Sequence, residues 1–133
     1  MINAPIDHIA IVVADLDATI ALYTQTLGFT EVYREIVADQ GVEAVGLRTG
    51  DAIIELLRPL DEGSAIAKFR GDAPTKLHHT AYRVNDITAE LARLKANGVH
   101  LIDETPRLGA HGNTVAFLHP RSTGGVLIEL CQR

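Results

Sequence analysis

With 133 residues the chain has room for one domain, or for two half-size units that share a core. It is 47% hydrophobic and 22% charged, with three Phe, three Tyr and no Trp, so its core must be aliphatic. A formal charge of −5 gives no electrostatic case for nucleic acid or an anionic membrane, and a single cysteine excludes an internal disulfide and fits a reducing compartment.

The first residues, Met1-Ile2-Asn3-Ala4-Pro5, lack the basic and apolar regions of a signal peptide, and no apolar run is long enough to span a bilayer. A cytoplasmic protein with neither membrane nor nucleic-acid partner is expected. Residues 7–13 alternate as a short apolar strand. Asp15 stands at a helix N-cap position, and Leu16, Ile20, Tyr23 and Leu27 recur at helical spacing until Gly28 stops the run. Strands are expected at 29–38, 42–49 and 52–58, with Asp39-Gln40-Gly41 as a turn and Pro59 as the end of the third strand. The linker from Asp61 to Lys76 holds a short helix at Ser64–Phe69. A strand at 78–84 follows, then a helix with N-cap Asp86, stripe Ile87, Leu91 and Leu94, and stop Gly98. Further strands are expected near 99–103, 113–118 and 125–131, around an irregular loop Pro106–Asn113.

Each half therefore reads as βαβββ, and the halves align residue by residue. Asp7-His8-Ile9-Ala10 matches His78-His79-Thr80-Ala81 at an offset of 71, and Ile53-Ile54-Glu55-Leu56-Leu57 matches Leu127-Ile128-Glu129-Leu130-Cys131 at an offset of 74. One longer loop in the second half accounts for the difference. A half this small cannot bury an adequate core alone. The expected organisation is one domain, 1–133, with module one at about 5–60, a linker at about 61–76 and module two at about 77–133.

Glu55 and Glu129 each interrupt an apolar strand. An ionised carboxylate there costs several kcal/mol unless it is paired or bound to metal. His8 and His79 open the first strand of each half, and neutral imidazole is a common ligand. Two nitrogens and two carboxylates in matched positions point to a four-ligand metal site of His8, Glu55, His79 and Glu129. Ligand type suits Co, Mn, Ni, Zn or Fe without choosing among them. His78, one place out of register, falls on the other strand face. Cys131 reads as core, His119 before Pro120 as a strand-end structural residue, and His100 as surface.

At this point the chain resembles the vicinal oxygen chelate superfamily, whose βαβββ modules pair to cup a metal, and within it the methylmalonyl-CoA epimerases. The resemblance rests on Asp7-His8-Ile9-Ala10, Asp39-Gln40-Gly41-Val42, Ile54-Glu55-Leu56-Leu57-Arg58-Pro59-Leu60, Ser64-Ala65-Ile66-Ala67-Lys68-Phe69 and His78-His79-Thr80-Ala81. Its most specific stretch is Pro106-Arg107-Leu108-Gly109-Ala110-His111-Gly112 followed by Phe117-Leu118-His119-Pro120-Arg121-Ser122-Thr123-Gly124-Gly125-Val126-Leu127-Ile128-Glu129-Leu130.

The resemblance implies an α+β fold of two paired βαβββ modules in an open, barrel-like mixed sheet around the metal. It implies metal ligands at His8, Glu55, His79 and Glu129; at the Glu55 position the family uses Gln or Glu. It further implies epimerisation at C2 of methylmalonyl-CoA through a metal-stabilised enolate, with Glu129 as one acid/base. The family's second acid/base is a glutamate before Gln/His-Gly-Val, and here that position is Asp39, one methylene shorter. An acyl-CoA substrate and a homodimer are implied. Apart from the resemblance, Lys68, Arg107, Lys76 and Arg121 are cations open to CoA phosphates, and His111 and Gly112 in the long loop are candidates to line the substrate pocket.

Three rival readings share the fold. A glyoxalase-I-like isomerase of a glutathione hemithioacetal would use the same site and similar proton chemistry. An extradiol-type dioxygenase fits less well, because a 2-His-1-carboxylate site leaves no role for a fourth protein ligand. A metal-free small-molecule-binding protein has no need of two buried carboxylates.

Overall fold

The computed structural model describes all of residues 1–133. Eight strands and three α-helices run in the order β1 (Ile6–Val13), α1 (Leu16–Ala21), β2 (Thr30–Val37), β3 (Val42–Thr49), β4 (Ala52–Pro59), α2 (Ala65–Arg70), β5 (Thr75–Arg83), α3 (Ile87–Ala96), β6 (Arg107–Leu108), β7 (Thr114–Leu118) and β8 (Ile128–Gln132). The chain forms two compact units, one of Ile9–His78 and one of Met1–His8 with His79–Arg133.

In the unit of Ile9–His78, β2, β3 and β4 form an antiparallel meander with an irregularity between Glu31 and Tyr33. Asp15 caps α1 through its carboxylate, which accepts from the Ala18 amide at 3.0 Å. The apolar stripe then packs on the sheet, where Leu16 meets Val13, Val45, Leu47 and Leu56, flanked by Ile20, Tyr23 and Phe29. The helix expected to reach Leu27 is α-helical only to Ala21 and continues as a π turn over Leu22–Thr26. Thr24 donates its hydroxyl to the Ile20 carbonyl at 2.8 Å, and the Leu27 amide reaches back to Leu22. Such back-bonding competes with the regular ladder and favours a wider turn. Gly41 stands in the left-handed region (φ 65) and closes the Ala38–Gln40 turn as expected.

In the other unit β5 pairs with β8 in parallel, while β8 with β7 and β7 with β6 are antiparallel, so the sheet is mixed. Helix α3 starts at Asp86, whose carboxylate accepts from the Ala89 amide, and buries Ile87 and Leu91 against Val84, Ala116, Leu118 and Leu130. The strand expected near 99–103 does not form; one bridge joins Leu101 to Leu118. The Asp103 carboxylate takes the Phe117 amide at 2.8 Å, replacing a ladder bond with a side-chain bond. The second strand of this module is instead the two-residue β6, inside the segment expected to be irregular. The module order βαβββ survives with its second strand displaced.

Candidate metal centre

Ile128 and Leu130 of β8 pack on the α3 side, so period-two geometry turns Glu129 to the opposite sheet face. The pairings Ala81 with Glu129 and Phe117 with Glu129 put His79 and Phe117 on that same face. His8, at the start of β1, belongs to the same compact unit. His8 Nε2 lies 3.2 Å from His79 Nε2 and 3.3 Å from Glu129 Oε1, and His79 Nε2 lies 3.7 Å from Glu129 Oε2. Ligand atoms of the three residues all fall within 4.8 Å of one another, and the residues are only 5%, 1% and 3% exposed. The ring of Phe117 meets His79 edge-on at 5.1 Å.

Two imidazole nitrogens facing each other beside a buried carboxylate are costly in a dry interior unless a proton or a cation lies among them. Two nitrogens and a carboxylate oxygen are also the donor set that borderline divalent ions accept. The residues present therefore fit a divalent metal.

Asp7 supports this cluster and was given no role by sequence reasoning. It is buried, and its Oδ2 lies 2.8 Å from His8 Nδ1 and 3.6 Å from Cys131 Sγ. Its Oδ1 accepts from Arg83 Nη2 and Arg133 Nη2, both at 3.2 Å. Burial pushes this carboxyl up, but the hydrogen bond and charge of His8 and the Arg133 guanidinium outweigh it and hold Asp7 well below the carboxylate range. Burial raises the Cys131 thiol, with Asp7 and Glu129 adding to the effect, so its reading as core rather than nucleophile stands.

Glu55 belongs to the unit of Ile9–His78, on β4, and is 4% exposed. Ile54 and Leu56 face the α1 side, so Glu55 lies on the opposite face, as alternation requires. Tyr33, Gly46 and Glu55 are successive cross-strand partners on β2, β3 and β4. A Cβ at Gly46 would overlap the Tyr33 ring, so the glycine is what lets the ring lie across β3. The phenol then donates to Glu55 Oε2 at 2.6 Å. Sequence reasoning missed Tyr33; an isolated glycine within an apolar strand was the available signal of a close approach.

The remaining expected site residues divide between the units. Arg107 lies over the Phe117 ring at 5.7 Å and pairs with Asp103 at 3.4 Å, which links it through Phe117 to His79. His111 is exposed and left-handed (φ 59), and Gly112 follows it in the same turn. Asp39 and Lys68 are exposed in the other unit, the former on the Ala38–Gln40 turn and the latter in the last turn of α2. His78 packs edge-on against Phe69, and burial lowers it to about 4. His119 accepts from the Arg121 amide at 3.0 Å and begins the Pro120–Ser122 turn, a structural role as expected. His100 is exposed.

The profile of the glyoxalase/bleomycin resistance protein/dioxygenase superfamily matches residues 7–117, and the chain belongs to that superfamily. Among curated relatives, an ethylmalonyl-CoA/methylmalonyl-CoA epimerase of Cereibacter sphaeroides is 42% identical over 129 residues, covering 96% of each chain. Among solved structures, the methylmalonyl-CoA epimerase of Mycobacterium tuberculosis is 43% identical with a TM-score of 0.90, over 96% of this chain and 86% of that one. A methylmalonyl-CoA epimerase in complex with methylmalonyl-CoA and NH4+ superposes with a TM-score of 0.91 at 36% identity, covering 97% of this chain and 94% of that one. The α+β, vicinal oxygen chelate class expected from sequence is the fold these structures share with this chain.

Proposed function

We propose that the protein epimerises methylmalonyl-CoA at C2, interconverting the 2R and 2S thioesters. The observation that carries this reading is the buried convergence of His8, His79 and Glu129 within 4.8 Å, in a chain 42% identical to a named epimerase of that substrate. His8, His79 and Glu129 would hold a divalent ion, with Glu55 as the fourth ligand. When bound, such an ion supplies Lewis-acid stabilisation of the negative charge that develops on the substrate's oxygens.

The chain's own residues do the rest. C2 lies between a thioester and a carboxylate, so its proton is weakly acidic, and inversion needs one proton carrier on each face of the planar enolate. Glu129, buried among apolar strand neighbours, is the proposed base on one face; were one of its oxygens to hold the ion, the other would remain to carry the proton. Asp39 is the proposed acid on the opposite face, in place of a longer glutamate. Arg107, His111, Gly112 and Lys68 are the proposed acyl-CoA contacts. The reading takes residues 1–133 as one domain that works as a cytoplasmic homodimer; sedimentation and fractionation check the last two points. No helix is long and apolar enough to cross a membrane.

Isotope exchange tests it. Metal-replete protein with (2S)-methylmalonyl-CoA in D2O should deuterate C2 with inversion, and chelation should abolish this. Asp39→Asn should leave exchange on one face while slowing inversion. Absence of exchange above the buffer rate, with metal bound, overturns the reading and directs the search to glutathione hemithioacetals.

A further inference from the structure

We propose that Asp7 is the positioning residue of the metal centre: clamped by Arg83 and Arg133, it fixes His8 as the Nδ1–H tautomer and so aims the Nε2 lone pair at His79 and Glu129. The inference deepens the metal reading above and rests on it for its functional consequence, though the tautomer itself is decided by contacts that need no metal.

The division of labour between the two oxygens of Asp7 carries the argument. Oδ1 takes both guanidiniums, with Arg83 Nη2 and Arg133 Nη2 each at 3.2 Å and their Nε atoms each at 3.3 Å. Oδ2 is left for His8 Nδ1 at 2.8 Å, with the weak Cys131 thiol at 3.6 Å. A carboxylate has no proton to donate here, so the short contact requires the proton on Nδ1. Neutral His8 then has its lone pair on Nε2, the nitrogen 3.3 Å from Glu129 and 3.2 Å from His79. Carboxylate partners of ligating histidines fix the tautomer and the ring plane in this way, and losing one typically costs about 10–100-fold in metal affinity. The two arginines add what a lone carboxylate lacks. They hold Asp7 from the far side, so it cannot rotate away from His8, and they balance a charge buried to 2% exposure.

This arrangement makes an unusual demand on Asp7→Asn. The amide has one oxygen, and two guanidiniums claim the Oδ1 position, so the NH2 must face His8 Nδ1. Two donors cannot share that contact. His8 is driven to the Nε2–H tautomer, and its lone pair leaves the metal centre; an asparagine beside a catalytic histidine is known to impose the wrong tautomer in this manner.

The test combines long-range 1H–15N correlation of the histidine rings with zinc titration against a competing chelator. In the metal-free wild-type protein His8 should carry its proton on Nδ1; a proton on Nε2 alone overturns the proposal without any variant. Asp7→Asn should invert that tautomer and weaken zinc binding by about 10–100-fold. Adding Arg83→Met and Arg133→Met to Asp7→Asn should return the amide oxygen to His8, restore the tautomer and recover most of the affinity. A merely structural Asp7 predicts the reverse, since removing the arginines would compound the damage. If wild-type protein shows the Nδ1–H tautomer yet binds no divalent ion, the clamp stands and the metal reading falls. If zinc binds the wild type and Asp7→Asn alike, with the tautomer unchanged, the clamp falls and the metal reading stands.

Discussion

Glu129 and Glu55 occupy equivalent strands of the two modules, and each unit supplies its carboxylate with a different kind of partner. Glu129 is met by two imidazoles, one of them backed by a carboxylate and two guanidiniums. Glu55 is met by a phenol that reaches it over a glycine. The repeat therefore conserves where a carboxylate sits on the sheet, while the side chains that hold it differ between the units. Within its own unit Glu129 faces imidazoles, one of which is itself oriented by a carboxylate, whereas Glu55 accepts from a phenol, a neutral donor that orients it.

The largest expected effect contrasts the two carboxylates. Glu129→Gln removes the proposed base and should lower the epimerisation rate by about 10²–10⁴-fold, the usual range for general acid–base catalysis. Glu55→Gln should keep most of the activity, because an amide oxygen can still ligate and still accept from Tyr33. Equal losses in a stereospecific coupled assay would put the two carboxylates in the same role.

Gly46→Ala comes next. The new Cβ displaces the Tyr33 ring and breaks its bond to Glu55, so overpacking and a lost charge-assisted bond should together cost about 2–4 kcal/mol in urea unfolding. Tyr33→Phe keeps the ring and loses only the phenol, and about 1–2 kcal/mol is expected. The order of these two variants is the informative result. A larger loss in Tyr33→Phe would mean that the hydrogen bond, and not the close approach at Gly46, organises that unit.

The smallest effect lies on the same meander. Glu43 receives Arg34 at 2.9 Å and Arg58 at 2.7 Å, and these two hydrogen bonds, against a smaller opposing effect of burial, hold its carboxyl below the ordinary range. Both arginines are more than a third exposed, so Glu43→Gln should cost only about 0.5 kcal/mol. The sign follows from the lowered value. The contribution is complete above the ordinary glutamate pKa of about 4.3 and disappears as pH falls through the folded value. Melting curves of wild type and variant should differ at pH 7 and converge in acid.

Much of this was legible in the residues. Apolar strand neighbours marked Glu55 and Glu129 as carboxylates in need of a partner, and the register of the repeat paired His8 with His79; β3 was read with its observed bounds, Val42–Thr49. Asp15, Ser64 and Asp86 all cap helices as their types predict. The failures have physical causes. The stretch near 99–103 has strand composition, but the Asp103 carboxylate, 14 residues from its partner, took the Phe117 amide that a ladder needs. The helix ending at Ala21 kept helical spacing in sequence while Thr24 altered its backbone bonding.

By itself the sequence determined the βαβββ repeat, the aliphatic core and the identity of the buried charged residues, because periodicity and the cost of burying charge are local properties. Only the tertiary structure decided what those charges meet. Asp7 gains Arg83 and Arg133 across 76 and 126 residues of chain, and Tyr33 gains Glu55 across 22. No spacing rule spans such distances; a partner that arrives through strand pairing is specified by the whole sheet, and so becomes visible only when the sheet is built.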